Sequence, residues 1–169
     1  MMGGDRPSTL VAAIGNPDRG DDGVGPAVAA RLHAGVPAGV RVLERSGDVL
    51  ALITEWDGFS DVFIVDAAAP IGQPGRIHRL DLASQPLPDG FARSSTHAFG
   101  VAEAVELARS LNRLPRHIVA YLVEGERFEV GAPLSPAVAE AVDMVAERIR
   151  DELAILSARQ REEGAAEHA

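Results

Sequence analysis

The strongest constraint in this sequence is a turn of glycine, proline and aspartate between an apolar run and an Ala/Val-rich segment. Residues 14–26 read IGNPDRGDDGVGP, after a run at 10–14 that is typical of a buried strand. Glycine permits close backbone approaches that other residues resist, so the turn is expected to be tight. Phosphate-binding turns share such glycines but lack acidic neighbours, whereas Asp21 and Asp22 would attract a cation or a proton. The pattern predicts a carboxylate site at the edge of a parallel sheet.

Short apolar runs alternate with helical segments along the rest of the chain. Five strands are predicted, at 10–14, 40–43, 62–65, 76–82 and 118–123. Helices are predicted from Pro26 to 33, at 49–56 with Asp48 as N-cap, at 99–111, and from Pro136 with Ser135 as N-cap. This alternation implies right-handed βαβ crossovers. We therefore predict an α/β fold: one three-layer domain over 1–157 with a twisted, mainly parallel five-stranded sheet between helices, and a disordered polar tail over 158–169.

Composition excludes several functional classes. The formal net charge of −9 opposes binding to nucleic acid. The chain has no cysteine, which excludes disulfides, thiolate metal sites and a cysteine nucleophile, and suits a reducing cytoplasm. No apolar run approaches the roughly 18 residues of a membrane span. We expect a cytoplasmic protein whose partners are neither nucleic acid nor membrane.

Polar residues follow the predicted strands at the edge where ligands bind in open parallel sheets. Asp21 and Asp22 follow the first strand, Asp66 ends the third, and His97 stands at the start of a helix. Two carboxylates and one imidazole suit a divalent ion with open coordination positions, and the same trio suits acid–base chemistry. Glu124, after the fifth strand, is a further group that can face this crevice. The remaining histidines are predicted to be surface residues: His33, His78, His117 and His168.

Each of these site residues also has an ordinary structural interpretation. Taken alone, Asp21 or Asp22 is typical of a cap or loop anion, and Asp66 of an N-cap for a following turn. A loop histidine such as His97 usually faces solvent or satisfies a hydrogen bond. The interpretation as a site depends on the convergence of the three side chains rather than on any one of them.

Four motifs, in order, resemble those of the hydrogenase maturation proteases, which process the large subunit of [NiFe] hydrogenases. They are IGNP at 14–17 with RGDDGVG at 19–25, VDA at 65–67, THAFG at 96–100 and LSPAV at 134–138. The first motif is specific, and the other three are weaker individually but fall in the expected order. The resemblance covers roughly residues 10–153.

The resemblance implies an endopeptidase that removes a C-terminal extension from the large-subunit precursor after nickel insertion. In that family an acidic residue in the first turn, an aspartate ending a middle strand and a later histidine contact metal, and these correspond to Asp22, Asp66 and His97. The resemblance also implies that the nickel is held by the substrate and acts as a readiness signal. The family is grouped with aspartic peptidases, and its fold is a mainly parallel sheet between helices.

Two features depart from the family pattern and leave other functions open. Many members carry glutamate where this chain has Asp22, and residues 46–50 differ from a Gly-Thr-rich loop that is implied to recognise the substrate. One alternative is a non-enzymatic nickel-sensing or metal-binding chaperone of hydrogenase assembly, in which the same trio binds metal without cleavage. Another is a metal-dependent phosphohydrolase-like enzyme, for which Arg19 is the only basic candidate beside the glycines.

Overall fold

The backbone of this chain builds one mainly parallel sheet. The computed structural model describes residues 7–46, 48–92 and 96–167, and the side chains of 49, 92 and 96–99 lie outside that description. The described strands are β1 (Thr9–Ile14), β2 (Val40–Arg45), β3 (Asp61–Ala68), β4 (Ile77–Asp81) and β5 (His117–Glu124). Their order is β2-β1-β3-β5-β4, with all pairs parallel except β4 with β5. The predicted mainly parallel five-stranded sheet is confirmed.

Helices cover both faces of this sheet. The described α-helices are α1 (Val24–Leu32), α2 (Leu52–Glu55), α3 (Asp89–Ala92), α4 (Thr96–Ser110) and α5 (Pro136–Glu167). Side chains alternate along each strand, so that Ile64 packs on the face of α2 and α4 while Val65 packs on the face of α1 and α5. The three layers of the sequence prediction are therefore confirmed. No helix among the described residues is both long and apolar enough to cross a membrane.

Two helices differ in extent from the sequence prediction. The predicted helix at 49–56 is a 3₁₀ turn (Val49–Ala51) followed by α2, and Asp48 accepts a hydrogen bond from the amide of Leu50 at 3.1 Å. The last helix continues to Glu167, so residues 158–167 of the segment that we expected to be a disordered tail are helical. The side chains after 158 are exposed, so this part of the helix has no apolar periodicity from which it could be predicted.

A partly exposed ion network joins α5 to the edge strand β4. Arg79 on β4 donates to both carboxylate oxygens of Glu152 on α5, from Nε at 2.7 Å and from Nη2 at 2.8 Å. The hydroxyl of Tyr121 on β5 donates to the same carboxylate. Burial, together with this hydrogen bond to Glu152, raises the pKa of Tyr121 well above its usual value. The network holds the only antiparallel strand of the described sheet against the last helix.

Glu124 anchors the connection between β3 and β4. Its Oε2 accepts the backbone amides of Ile71, Gly72 and Gln73 at 3.2, 3.0 and 2.7 Å. Its Oε1 lies 2.7 Å from Nε2 of His78. Burial raises the pKa of this carboxyl, but the three amides and His78 outweigh it and hold the pKa at about 2, below the usual 4.5. The prediction that His78 is a surface residue is wrong, because its side chain is only 19% exposed and contacts the Glu124 carboxylate.

The depressed pKa of Glu124 predicts a specific pH dependence of stability. A carboxyl with a lowered folded-state pKa stabilises the fold fully above its unfolded value, near 4.5, and loses that contribution as the pH falls toward about 2. Glu124→Gln is expected to lower the free energy of unfolding by about 2 kcal/mol at pH 7. The difference from wild type should shrink between pH 4.5 and pH 2.

Urea unfolding at a series of pH values measures this difference. Glu147→Gln, on an exposed face of α5, is the matched control and should behave as wild type at each pH. If the free energy of unfolding of Glu124→Gln stays below that of wild type by the same amount down to pH 2, the negative charge of Glu124 is not what stabilises the fold.

Candidate active site

The turn between β1 and α1, residues 15–23 and here called the first turn, is compact because two of its glycines cannot carry a side chain. Gly15 has φ of 140°, and a Cβ there would collide with the carbonyl oxygen of Asp22. Gly20 has φ of 55°, and a Cβ there would collide with the carbonyl oxygen of Arg127. The chain then forms a 3₁₀ helix at Gly20–Gly23 before α1 begins. The close approaches bring both acidic residues of this 3₁₀ helix into buried positions.

Asp22 lies at the base of this turn, beside the end of β1. Its side chain is buried, with 6% of its surface exposed. Its Oδ2 accepts the backbone amide of Asn16 at 3.0 Å, which closes the turn on itself. The predicted position of Asp22 at the carboxyl edge of the sheet agrees with the structure.

Asp66 lies on the neighbouring strand at the same edge. It does not end β3 as predicted but stands two residues before the end of the strand at Ala68, because β3 pairs with β5 as far as Glu124. The side chain is completely buried, and its Oδ1 accepts the amide of Ala67 at 2.8 Å. This bond lies within a strand, so Asp66 is not the N-cap of a helix. Since Ala13 of β1 pairs with Val65, Asp66 adjoins the point where the first turn leaves β1.

His97 lies in the first turn of α4, which begins at Thr96. The side chain of His97 lies outside the described part of the structure, so its contacts stay a prediction. The start of α4 at Thr96 agrees with the prediction that His97 stands at the start of a helix. Because α4 leads through a short connection into β5 and packs on the sheet face toward which Asp66 points, its N-terminus is at the carboxyl edge.

Asp21 has a different role from its neighbour. Its carboxylate is completely buried and accepts four hydrogen bonds from the segment that joins β5 to α5 (residues 125–135), here called the β5–α5 segment. The donors are the amides of Glu126, Arg127 and Ser135, at 2.7, 3.0 and 2.6 Å, and the hydroxyl of Ser135, at 2.9 Å. A carboxylate enclosed in this way is a structural anchor that ties the first turn to the β5–α5 segment.

The Asp21 contacts also correct the predicted cap of α5. Ser135 stands at the N-cap position, and its carbonyl oxygen accepts the amide of Ala139 at 2.9 Å. Its hydroxyl, however, donates to Asp21 rather than accepting an amide of the helix. No local pattern signals this arrangement, since Asp21 and Ser135 are 114 residues apart.

Two buried carboxylates at the same edge of a sheet can accept a cation or exchange a proton. Among the described side chains no group of three metal-binding residues is assembled, and the predicted third donor, His97, is outside that set. Both carboxylate oxygens of Glu124 contact other groups: Oε2 accepts amides of the β3–β4 connection, and Oε1 lies beside His78. The candidate site therefore consists of Asp22 and Asp66, with the start of α4 at the same edge.

Substitution of Asp21 tests its role as an anchor. Asp21→Asn keeps the shape of the side chain but replaces one acceptor oxygen by a donor, which opposes the N–H and O–H groups that surround it. We expect the free energy of unfolding to fall by about 3 kcal/mol. Asp18→Asn, an exposed residue of the same turn, is the control and should change it by less than about 0.5 kcal/mol. If the two variants gave equal urea unfolding curves, the Asp21 carboxylate would not be an anchor of the fold.

Comparison with known proteins identifies the family. The family model described as hydrogenase maturation protease matches residues 27–152. This match includes Asp66 and His97 and begins after the first turn. The hydrogenase expression/formation protein HupD of Bradyrhizobium diazoefficiens is 28% identical over 136 residues, which cover 79% of this chain and 71% of HupD.

Solved structures show the same fold. The hydrogenase maturating endopeptidase HybD from Escherichia coli is 20% identical, with a TM-score of 0.73 over 86% of this chain and 91% of that one. The hydrogenase 2 maturation peptidase from a Thaumarchaeota archaeon is 26% identical, with a TM-score of 0.63 over 86% of this chain and 97% of that one. With a family match over most of its length, this chain belongs to the hydrogenase maturation protease family and is a peptidase of hydrogenase maturation.

Proposed function

We propose that this chain removes the C-terminal extension from the large-subunit precursor of a [NiFe] hydrogenase after nickel has been inserted. Membership of the maturation protease family supports the reaction class. The observation that carries the proposal is a pair of buried carboxylates: Asp22, in the turn that follows β1, and Asp66, near the end of the neighbouring strand β3. Ligands of open parallel sheets bind at this edge.

The chemistry is proposed to depend on carboxylates, as in an aspartic-type peptidase. The chain has no cysteine to act as a nucleophile. Asp22 and Asp66 would repel one another when both are ionised, and a cation between them relieves that repulsion. In this proposal the cation is the nickel ion of the precursor, and His97 adds a nitrogen donor to the two oxygens. Asp66 is the residue proposed to move the proton during hydrolysis, since Asp21 is enclosed by its anchor contacts.

The metal belongs to the substrate in this scheme rather than to the enzyme. A divalent ion beside a peptide bond polarises the scissile carbonyl or activates water. Asp22, Asp66 and His97 leave coordination positions open, and without thiolates they are expected to bind free nickel only weakly. The ion then acts as a readiness signal, because tight binding needs the ligands of the precursor as well. We place the reaction in the cytoplasm, in agreement with a chain that lacks cysteine.

Substitution of Asp66 or His97 should stop processing without unfolding the protein. In Asp66→Asn the amide oxygen can still accept the Ala67 amide while the charge is lost, so the apo melting temperature should rise or stay unchanged. His97→Ala removes an imidazole at a helix start, and the loss of one metal contact commonly costs about ten- to hundredfold in affinity. His117→Ala, exposed at the opposite end of β5, is the control and should process normally.

Precursor cleavage, followed by the mass of the product, measures these effects. Processing at the wild-type rate by His97→Ala would remove this histidine from the site. A clear fall in the melting temperature of Asp66→Asn would instead make Asp66 a structural residue.

Nickel dependence is tested with two preparations of the same precursor. The purified wild-type chain is expected to cleave nickel-loaded precursor and to leave nickel-free precursor intact, while calorimetry shows weak binding of free Ni²⁺. Equal cleavage of the two preparations would refute the readiness signal. Binding of the nickel-loaded precursor without any cleavage would favour the nickel-sensing chaperone, and one stoichiometric, chelator-resistant metal ion in the purified chain would indicate a self-contained metallohydrolase.

A further inference from the structure

A groove of about 400 Å³ lies between the edge strand β4 and α5, here called the β4–α5 groove. One wall is Ile77 of β4, and one end is residues 73–76 of the β3–β4 connection, at the carboxyl edge of the sheet. At the other end the ion pair of Arg79 with Glu152 joins the strand to the helix. The helix wall is a stripe at spacings of four, three and four residues: Ala137, Ala141, Met144 and Arg148.

The outer edge of β4 offers backbone groups to a further strand. The Glu124 amide of β5 donates to the carbonyl oxygen of Arg76 at 3.0 Å, so the backbone of Arg76 faces β5. Backbone groups alternate in direction along an antiparallel strand, and those of Ile77 and Arg79 therefore face outward. In the described sheet no strand lies beyond β4. A free edge of this kind pairs with peptides in extended conformation.

The walls of the groove combine exposed apolar surface with unpaired positive charge. Met144 is 48% exposed. Arg76 and Arg148 are exposed, and neither forms an ion pair with a carboxylate of the described residues. Glu140 is the one acidic side chain among the described residues that line the groove. The groove therefore has a surplus of positive charge, in a chain whose formal net charge is −9.

These features define the chemistry of an occupant. Arginine binds carboxylates through two parallel hydrogen bonds, so unpaired arginines favour an acidic ligand. Methionine is flexible and polarizable, and it packs against apolar side chains of different shapes. The free edge of β4 favours an extended backbone. A peptide segment with both acidic and apolar side chains meets all three requirements.

We infer that the β4–α5 groove is a docking site for an acidic segment of the large-subunit precursor that also carries an apolar side chain and adds to β4 as a further strand. The inference rests on the proposed function, which supplies the partner. Because one end of the groove lies at the carboxyl edge, a docked segment holds the precursor at the edge where Asp66 lies. Docking away from the reacting groups is equal in the bound substrate and in the transition state, so its loss should raise KM and leave kcat unchanged.

Arg148→Glu tests the charge of the groove. We expect KM for nickel-loaded precursor to rise about tenfold, the scale for losing one charge-assisted contact, with kcat and melting temperature as in wild type. The rise should shrink at high salt, because the attraction in the wild-type chain is then screened. Arg161→Glu is the matched control, since it reverses an exposed charge of the same helix outside the groove. It should keep the wild-type KM.

Met144→Ser tests the apolar part of the groove. The side chain is half exposed, so we expect an unchanged melting temperature and a rise in KM of about fivefold, the scale for losing an apolar contact of this size. Ile155→Ser is the matched control, because Ile155 is 53% exposed on the same helix, beyond the Arg79–Glu152 ion pair. It should keep the wild-type KM.

The outcomes separate this inference from the proposed function. If the wild-type chain cleaves the precursor and Arg148→Glu has the wild-type KM, or Arg161→Glu shows an equal rise, the docking site is refuted and the proposed function stands. A changed oligomeric state of Arg148→Glu with an unchanged KM would assign the groove to a second copy of this chain and also refute it.

If the wild-type chain does not cleave the precursor, the proposed function fails and direct binding decides the inference. Precursor is then passed over immobilised wild-type and Arg148→Glu chains. Weaker binding to the variant supports the docking site, and equal binding or none to either chain refutes it.

Discussion

The buried carboxylate of Asp21 is the interaction on which the site region depends. It joins the first turn to residues up to 114 positions later in the chain, through hydrogen bonds to both ends of one irregular segment. A charge without such partners would be strongly destabilising in the interior, so the turn and the segment can be formed only together. Asp22 is the next residue in the chain, so these contacts also fix the position of Asp22. They hold the β5–α5 segment in place at the carboxyl edge of the sheet.

Glu124 is a second buried anchor, at the end of β5, and it holds a different connection of the chain. Its oxygens hold the amides of the β3–β4 connection, and His78 adds a side-chain partner. Asp66 lies on the strand between these two anchored regions. Asp21 and Glu124 are thus anchors, and this role follows from the donors that surround each carboxylate rather than from its position in a motif.

The fold could be predicted from the sequence more completely than the roles of single residues. Continuous runs rich in valine, isoleucine and leucine located the central strands β1, β3 and β5, because strands covered on both faces need no polar alternation. The carboxyl ends of β3 and β5 were placed too early, since Asp66 and Glu124 are polar residues that interior contacts accommodate. Asp21 and Asp22 are chemically identical neighbours, and only partners more than a hundred residues away distinguish them. Such long-range contacts leave no periodic signal, and for the same reason the pairing of His78 was missed.

The close approaches at Gly15 and Gly20 have a consequence for how members of such a family can diverge. Neither position tolerates even a methyl group without displacing backbone atoms of Asp22 or Arg127. The first turn consequently has almost no freedom to change shape as the sequence changes. Adaptation to a new partner protein would have to occur in side chains that project outward from the surrounding loops, where exchange costs little stability. The geometry of the reacting groups and the choice of substrate are thus separable properties, carried by different residues of the same edge.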